Sequence, residues 1–345
     1  MQYLTLPRRS FLLSAFPALA LRGQDTTFST DVKVVNVLAT VRNKQGQIVK
    51  NLTKEDFVLE EDSRPQTIKY FSRETDLPLM LGLLIDTSGS QRQVLGQERS
   101  ASARFIDQVV REDKDMAFVI HFDFETELLQ DLTASRKLLK QSIQNVEPPQ
   151  LQRRQQGGGG GGGRQGQGRG GGGTVLYDAV LLASDELMRK QSGRKALIIL
   201  SDGVDTGSKV SINEAIESAQ RSDTLIYSIL FFDEQAYGGG SGPVGMGGGR
   251  RRGGPPIRIP VQSHPDGKKI LQRMSRETGG GFFEVSRKVP IEETFERIQE
   301  ELRSQYSLGY TSDKLNAGSG FRSIRLNTTQ KNLIVQTRDK YYATK

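Results

Sequence analysis

Five short apolar runs recur between residues 79 and 285, with helically spaced segments between them, and no other feature limits the fold as much. The first, Leu79-Met80-Leu81-Gly82-Leu83-Leu84-Ile85, contains no polar side chain. A strand with one face in water alternates apolar and polar residues. A continuous run implies that both faces are covered, as in a parallel sheet between two layers of helices. Met116-Ala117-Phe118-Val119-Ile120 and Ala196-Leu197-Ile198-Ile199-Leu200 repeat the pattern, and Leu225 to Leu230 and Gly281 to Val285, each mostly apolar, read as further strands. Val94 to Val110 places Ala101, Phe105, Ile106 and Val109 on one helical face, and Thr174 to Arg189 does the same with Leu176, Ala179, Val180 and Leu187. Leu138 to Val146, Ile212 to Ala219, Ile270 to Arg276 and Ile291 to Leu302 read as further helices, and Glu127-Leu128-Leu129 as a short edge strand. This alternation predicts a Rossmann-like, doubly wound, mainly parallel α/β sheet over residues 78 to 303.

The flanks have a different pattern. Residues 30 to 72 are rich in β-branched residues, with a valine-rich run from Val32 to Ala39 and paired strands Phe57 to Asp62 and Gln66 to Phe71 around Ser63-Arg64-Pro65. Thr53-Lys54-Glu55-Asp56 has the spacing of a capped helical turn. After Arg303, the runs Tyr306 to Tyr310, Phe321 to Leu326 and Leu333 to Thr337 read as three strands. Three strands alone are marginal. Residues 304 to 345 are therefore expected to pack with residues 30 to 72 as one small β module built from both ends of the chain.

Hydrophobic residues make up only 35% of the chain, largely because residues 157 to 173 and 238 to 254 are dominated by glycine. Glycine at this density is expensive to order, and both stretches read as flexible loops inserted in the α/β region. They carry Arg164, Arg169 and Arg250-Arg251-Arg252, within a formal charge of +8. A basic fringe of this kind can attract acidic ligands, but a tolerated low-complexity insertion is the simpler reading. Residues 157 to 173 lack Gly-Lys-Ser/Thr, so a phosphate loop is unsupported there. Aromatic residues do not interleave the arginines, and no nucleic-acid partner is expected. The absence of cysteine excludes disulfides, thiolate metal sites and a cysteine nucleophile.

The N-terminus has the order of an export signal. Pro7-Arg8-Arg9-Ser10 is followed by an apolar run from Phe11 to Leu19 and by Ala18-Leu19-Ala20, a small-residue cleavage pattern. The run is too short to span a bilayer, and no later segment is long and apolar enough to do so. Residues 1 to 20 resemble a bacterial twin-arginine signal, which predicts a periplasmic or secreted protein. An ordinary secretory signal with two chance arginines is the rival.

Chemistry concentrates at the carboxyl ends of the apolar runs, where open α/β sheets bind ligands. Asp86-Thr87-Ser88-Gly89-Ser90 follows the first run directly, Ser201-Asp202-Gly203 follows another, and Thr174 stands where a helix is expected to open. Asp86, Ser88, Ser90, Thr174 and Asp202 all offer oxygen donors, a set suited to a hard cation such as Mg²⁺, Ca²⁺ or Mn²⁺. Two acids balance a divalent charge, and neutral hydroxyls leave a position for water or an incoming carboxylate. The five residues resemble the metal-ion-dependent adhesion site of the von Willebrand factor A family, seen also in integrin inserted domains. Asp86, Ser88 and Ser90 match its DxSxS motif, and Thr174 and Asp202 match its later threonine and aspartate. The flanks, including Asn51 to Phe57 and the strand at Tyr306, look like bacterial proteins described as von Willebrand factor A-related.

The resemblance implies a binding protein, not an enzyme: a metal held by the five residues would bridge to an acidic side chain of a protein partner. A metal-independent envelope scaffold is the alternative, and a metal-assisted hydrolase a more distant one. Asp205 reads as a loop acid or a support for the site, and Asp178 as a helix-face or capping residue. His121 and His264 are isolated and make neither a zinc site nor a triad.

Overall fold

The computed structural model describes residues 34–73, 77–147, 173–231, 266–286, 288–314 and 318–343. Residues 1 to 20 (expected to be an export signal), His264 and both glycine-rich stretches apart from Gly173 lie outside them. In chain order, the N-terminal flank gives β1 (Val34–Asn43), a 3₁₀ turn (Lys54–Asp56), β2 (Phe57–Glu61), β3 (Arg64–Gln66) and β4 (Ile68–Ser72). The α/β region follows with β5 (Leu79–Asp86), α1 (Leu95–Val109), β6 (Met116–Phe122), β7 (Thr126–Thr133), α2 (Arg136–Gln144) and α3 (Leu176–Leu182). It continues with β8 (Arg194–Ser201), α4 (Ile212–Arg221), β9 (Thr224–Leu230), α5 (Gly267–Thr278), β10 (Phe282–Glu284) and α6 (Ile291–Leu302). The C-terminal flank supplies β11 (Tyr306–Thr311), β12 (Gly320–Thr328), β13 (Leu333–Thr337) and β14 (Lys340–Ala343).

The α/β sheet has six strands in the order β10-β9-β8-β5-β6-β7, all parallel except the edge strand β7. Every residue of β5 is buried. Leu81, Leu83 and Ile85 enter a core shared with α1, α2 and α6, whereas Met80 and Leu84 enter one shared with α3, α4 and α5. Alternate side chains of one strand thus fill opposite layers, which is why its sequence is apolar throughout. The first core is fastened by Phe105 of α1 and Phe295 of α6, stacked with ring centroids 4.3 Å apart.

Helix α3 begins at Leu176, two residues later than the spacing predicts, because Val175 has the non-helical angles φ −110° and ψ 53°. It continues as a π-helical segment, Ala183–Met188, in which the Arg189 N–H reaches back to the Ser184 carbonyl. The predicted edge strand at Glu127 is longer than expected and forms β7.

The two flanks make one β module of two antiparallel sheets, ordered β13-β1-β11-β4 and β14-β12-β2-β3. Val35, Val37, Ala39 and Val41 of β1 face the core between them. Leu38 points the other way and packs on the α/β core. Both faces of β1 therefore meet protein, which accounts for its imperfect alternation. Strand β14 has no counterpart in the sequence reading, because Lys340-Tyr341-Tyr342-Ala343 is too short and polar to stand out.

Candidate metal site

From β5 the chain moves to β6 on one side of the sheet and later returns to β8 on the other. The crevice at this reversal is the expected ligand position in an open parallel sheet. Ile85 and Leu200 are register partners there, so Asp86 and Ser201 close neighbouring strands. The Ser201 hydroxyl donates to Asp86 Oδ2 at 2.6 Å, and the Ser88 N–H donates to Asp86 Oδ1 at 2.9 Å. One residue further, Asp202 Oδ2 accepts from the Ser90 hydroxyl at 2.6 Å, and the Ser88 and Ser90 hydroxyls lie 3.0 Å apart. Two segments more than a hundred residues apart in sequence thus meet through Asp86, Ser88, Ser90 and Asp202.

The backbone explains why they meet. Gly203 turns the chain after Asp202 with φ +78°, and the start of α5 lies so close that a Cβ on Gly203 would come within 2.3 Å of the Gly267 carbonyl oxygen. Only glycine fits such a left-handed, crowded position. On the other strand, a tight turn at Gly89–Gln91 follows Ser88 and leads the loop toward α1.

Thr174 stands somewhat apart. Its carbonyl accepts the N–H groups of Thr206 and Gly207 at 3.1 and 3.0 Å, and the next N–H, from Val175, donates to the Asp123 carbonyl at 2.8 Å. These contacts place it between the β6–β7 turn and the loop after β8. Among the described residues, no hydrogen bond joins its side chain to the other four.

Asp86 is fully buried, while Ser88 and Ser90 are partly open. Burial, reinforced by the negative charge of Asp202, pushes the Asp86 carboxyl up to about 7 despite the hydroxyls and amide that favour its charged form. No basic side chain among the described residues ion-pairs with Asp86. A buried carboxylate supported only by neutral donors retains a demand for positive charge. Two acids and nearby hydroxyls, all oxygen, fit a hard divalent cation. Asp86 and Asp202 would carry its charge, and Ser88, Ser90 and Thr174 would add neutral donors.

The remaining polar residues have local tasks. Asp205 accepts from the Ser208 hydroxyl at 2.5 Å and from the Tyr177 N–H at 3.1 Å, tying the loop after β8 to the start of α3. Asp178 accepts the N–H groups of Lys209 and Val210. His121 lies between Thr87 (3.4 Å) and Glu127 (3.0 Å). Sequence reasoning gave no role to Ser201 or to Glu98, a fully buried acid of α1. The signals were present: a hydroxyl ends an otherwise apolar run, and a charge sits three residues from both Leu95 and Ala101, on the apolar face of a helix.

No family model matches the chain, and no curated protein matches it. Among solved structures it is similar to the conserved hypothetical protein BatB from Bacteroides thetaiotaomicron: 15% identity over 65% of this chain and 97% of that one, TM-score 0.44. It is also similar to proximal thread matrix protein 1 from the mussel byssus, in a form with a zinc-occupied MIDAS motif: 15% identity, 69% and 48% coverage, TM-score 0.44. A third is the vWF domain of the type V pili tip protein Mfa5 from Porphyromonas gingivalis: 12% identity, 65% and 94% coverage, TM-score 0.43. These likenesses are distant, and the fold assignment rests on the chain's own topology. Strand order and helices on both faces make residues 79 to 302 a doubly wound, mainly parallel α/β domain with the Asp86-x-Ser88-x-Ser90 loop at the reversal of its sheet, the fold that the von Willebrand factor A resemblance implies.

Proposed function

We propose that this chain is an exported binding protein, not an enzyme, and that a divalent cation at the Asp86–Asp202 rim mediates its contact with an acidic side chain of a protein partner. The observation that carries the reading is the meeting of Asp86, Ser88, Ser90 and Asp202 around a fully buried carboxylate that ion-pairs with no basic side chain among the described residues. A cation bound there would supply electrophilic attraction for an incoming carboxylate. The chain's own part is to fix Asp86 through Ser201 and Ser88, to fix Asp202 through Ser90, and to leave two serines reachable from solvent. Mg²⁺ is the favoured ion, with Ca²⁺ and Mn²⁺ as alternatives of the same hardness. The twin arginines and apolar run of residues 8 to 19 support export to the periplasm or beyond. Among the described residues no helix is long and apolar enough to cross a membrane.

Calorimetric titration of the protein with Mg²⁺, Mn²⁺ and Ca²⁺ tests the metal half. Saturable binding by wild type and none by Asp86→Ala is expected, and a wild type that binds no cation overturns it. For the partner half, retention by an envelope fraction should disappear with chelator and with Ser88→Ala. Retention that survives both would assign the domain to a metal-independent scaffold instead.

A further inference from the structure

Beneath the rim, Gln91, Leu95, Glu98 and Ser102 follow one another at spacings of four, three and four. They therefore share one face of the helical stretch that runs from the Gly89–Gln91 turn into α1. All four are buried. Leu95 belongs to the hydrophobic core, but the other three bring five polar atoms into the interior: both amide atoms of Gln91, both carboxyl oxygens of Glu98 and the Ser102 hydroxyl. None of the five has a hydrogen-bond partner within the described chain. Folded proteins rarely bury polar atoms in this way unless water or an ion meets them. Glu98 is also within electrostatic reach of the rim: burial raises its proton affinity well above the ordinary range, and the charges that raise it further are Asp86 and Asp202. Among the described residues no basic group offsets it. A side chain needed only to fill this space would be better apolar.

The geometry points to Glu98 as a third acid of the cation site, acting on the ion through water that Gln91 and Ser102 help to hold. This rests on the reading of the Asp86–Asp202 rim as a cation site. Glu98 is not a direct ligand, since among the described residues no group of three or more His, Cys, Asp or Glu is placed to hold one ion. It is a positioning residue: it orders water around the ion and, once the field of the bound cation displaces its proton, adds a negative charge whose attraction grows with the charge of the cation.

The test is calorimetric titration of the full chain with Mn²⁺ and with Tb³⁺, comparing wild type, Glu98→Gln and Gln91→Met. Glu98→Gln keeps the shape of the side chain and removes its charge. It should weaken Mn²⁺ binding by roughly tenfold and Tb³⁺ binding by clearly more, while the metal-free variant melts no lower than wild type. Gln91→Met removes no charge and should weaken both ions by a similar, smaller factor. Equal Mn²⁺ affinity in wild type and Glu98→Gln overturns the inference and leaves the rim site standing. Equal loss for the two ions on Glu98→Gln also overturns it, because a loosened structure does not distinguish ionic charge. A wild type that binds neither ion overturns the rim reading and this inference together.

Discussion

Asp86 and Asp115 stand at opposite ends of the same pair of strands, and the protein treats them in opposite ways. Both are almost fully buried, at 0% and 1% exposure. Asp86 closes β5, whereas Asp115 immediately precedes β6 and accepts the Leu79 N–H that opens β5. At the Asp115 end, burial raises the carboxyl, but the Arg111 and Arg303 guanidiniums and two backbone N–H groups outweigh it and hold it down at about 2. At the Asp86 end, burial meets only hydroxyls and an amide, and the carboxyl rises to about 7. A carboxylate that fastens a fold is supplied with its counter-charge by the fold. One left with neutral donors retains a demand for positive charge, which is the ground for the cation site proposed above. The β module repeats the first case: burial of Glu61 is outweighed by Ser312, Tyr310, Tyr341 and Arg322, all hydrogen-bonded to it.

The contrast breaks most readily by truncation. Asp115→Ala removes the carboxylate that pairs with two guanidiniums and accepts the first amide of β5, and should destabilise the protein by about 3–5 kcal/mol in urea unfolding. Asp86→Asn, measured with chelator present, should leave stability unchanged or raise it, because it removes a buried charge while keeping most of the shape. A loss on Asp86→Asn as large as that on Asp115→Ala would mean that Asp86 is structural.

The difference between the two ends was only half legible in the sequence. The buried parallel sheet could be read from the unbroken apolar run Leu79 to Ile85, since each residue type reports its own burial. The DxSxS loop could be placed on the rim because a strand end has a fixed location in such a fold. Side-chain partnership was not legible. Ser201 and Asp86 are 115 positions apart and meet only because β5 and β8 pair in register. Arg303 reaches Asp115 across 188 positions for a similar reason. Thr174 lay between these cases: the motif located it on the rim, but its backbone ties to Thr206, Gly207 and Asp123 come from loops whose path no periodicity reveals. Glu98 was hidden by its type, since a charged residue on a helix is ordinarily assigned to the solvent face.

Acidity separates the two ends next, by a smaller amount. The folded-state value of Asp86 lies above its unfolded value, so its contribution to stability is fully present below about 3.8 and is lost as pH rises toward about 7. Asp115 is the reverse: its contribution is present above about 3.8 and is lost as pH falls toward about 2. The metal-free protein should therefore lose on the order of a few kcal/mol between pH 4 and pH 7, and saturating divalent cation should restore it at pH 7. Asp86→Asn should shrink this neutral limb and leave the acid limb intact. Some of the limb should persist, since Glu98 is shifted in the same direction. Melting curves across pH with chelator present measure both limbs, and a metal-free protein whose stability is flat from pH 4 to 7 would remove the basis of the contrast.

The smallest expected effect concerns the hydroxyl that supports Asp86. Ser201 donates to Asp86 Oδ2 at 2.6 Å and accepts the Gly203 N–H at 2.9 Å, so it links both acidic loops. Its hydrogen bond favours the charged form of Asp86 and works against burial. Ser201→Ala should therefore move the neutral limb of the metal-free protein to higher pH, by under about one unit, since a single hydrogen bond contributes about 1 kcal/mol. Cation affinity at pH 7 should fall severalfold, because a larger share of Asp86 then holds a proton that the cation must displace. No equivalent variant exists at the other end of the strands, where charge, not hydroxyls, sets the balance. A limb that moves to lower pH in Ser201→Ala would show that the hydroxyl does not support the charged form of Asp86, and the account of the rim as a site tuned by neutral donors would have to be abandoned.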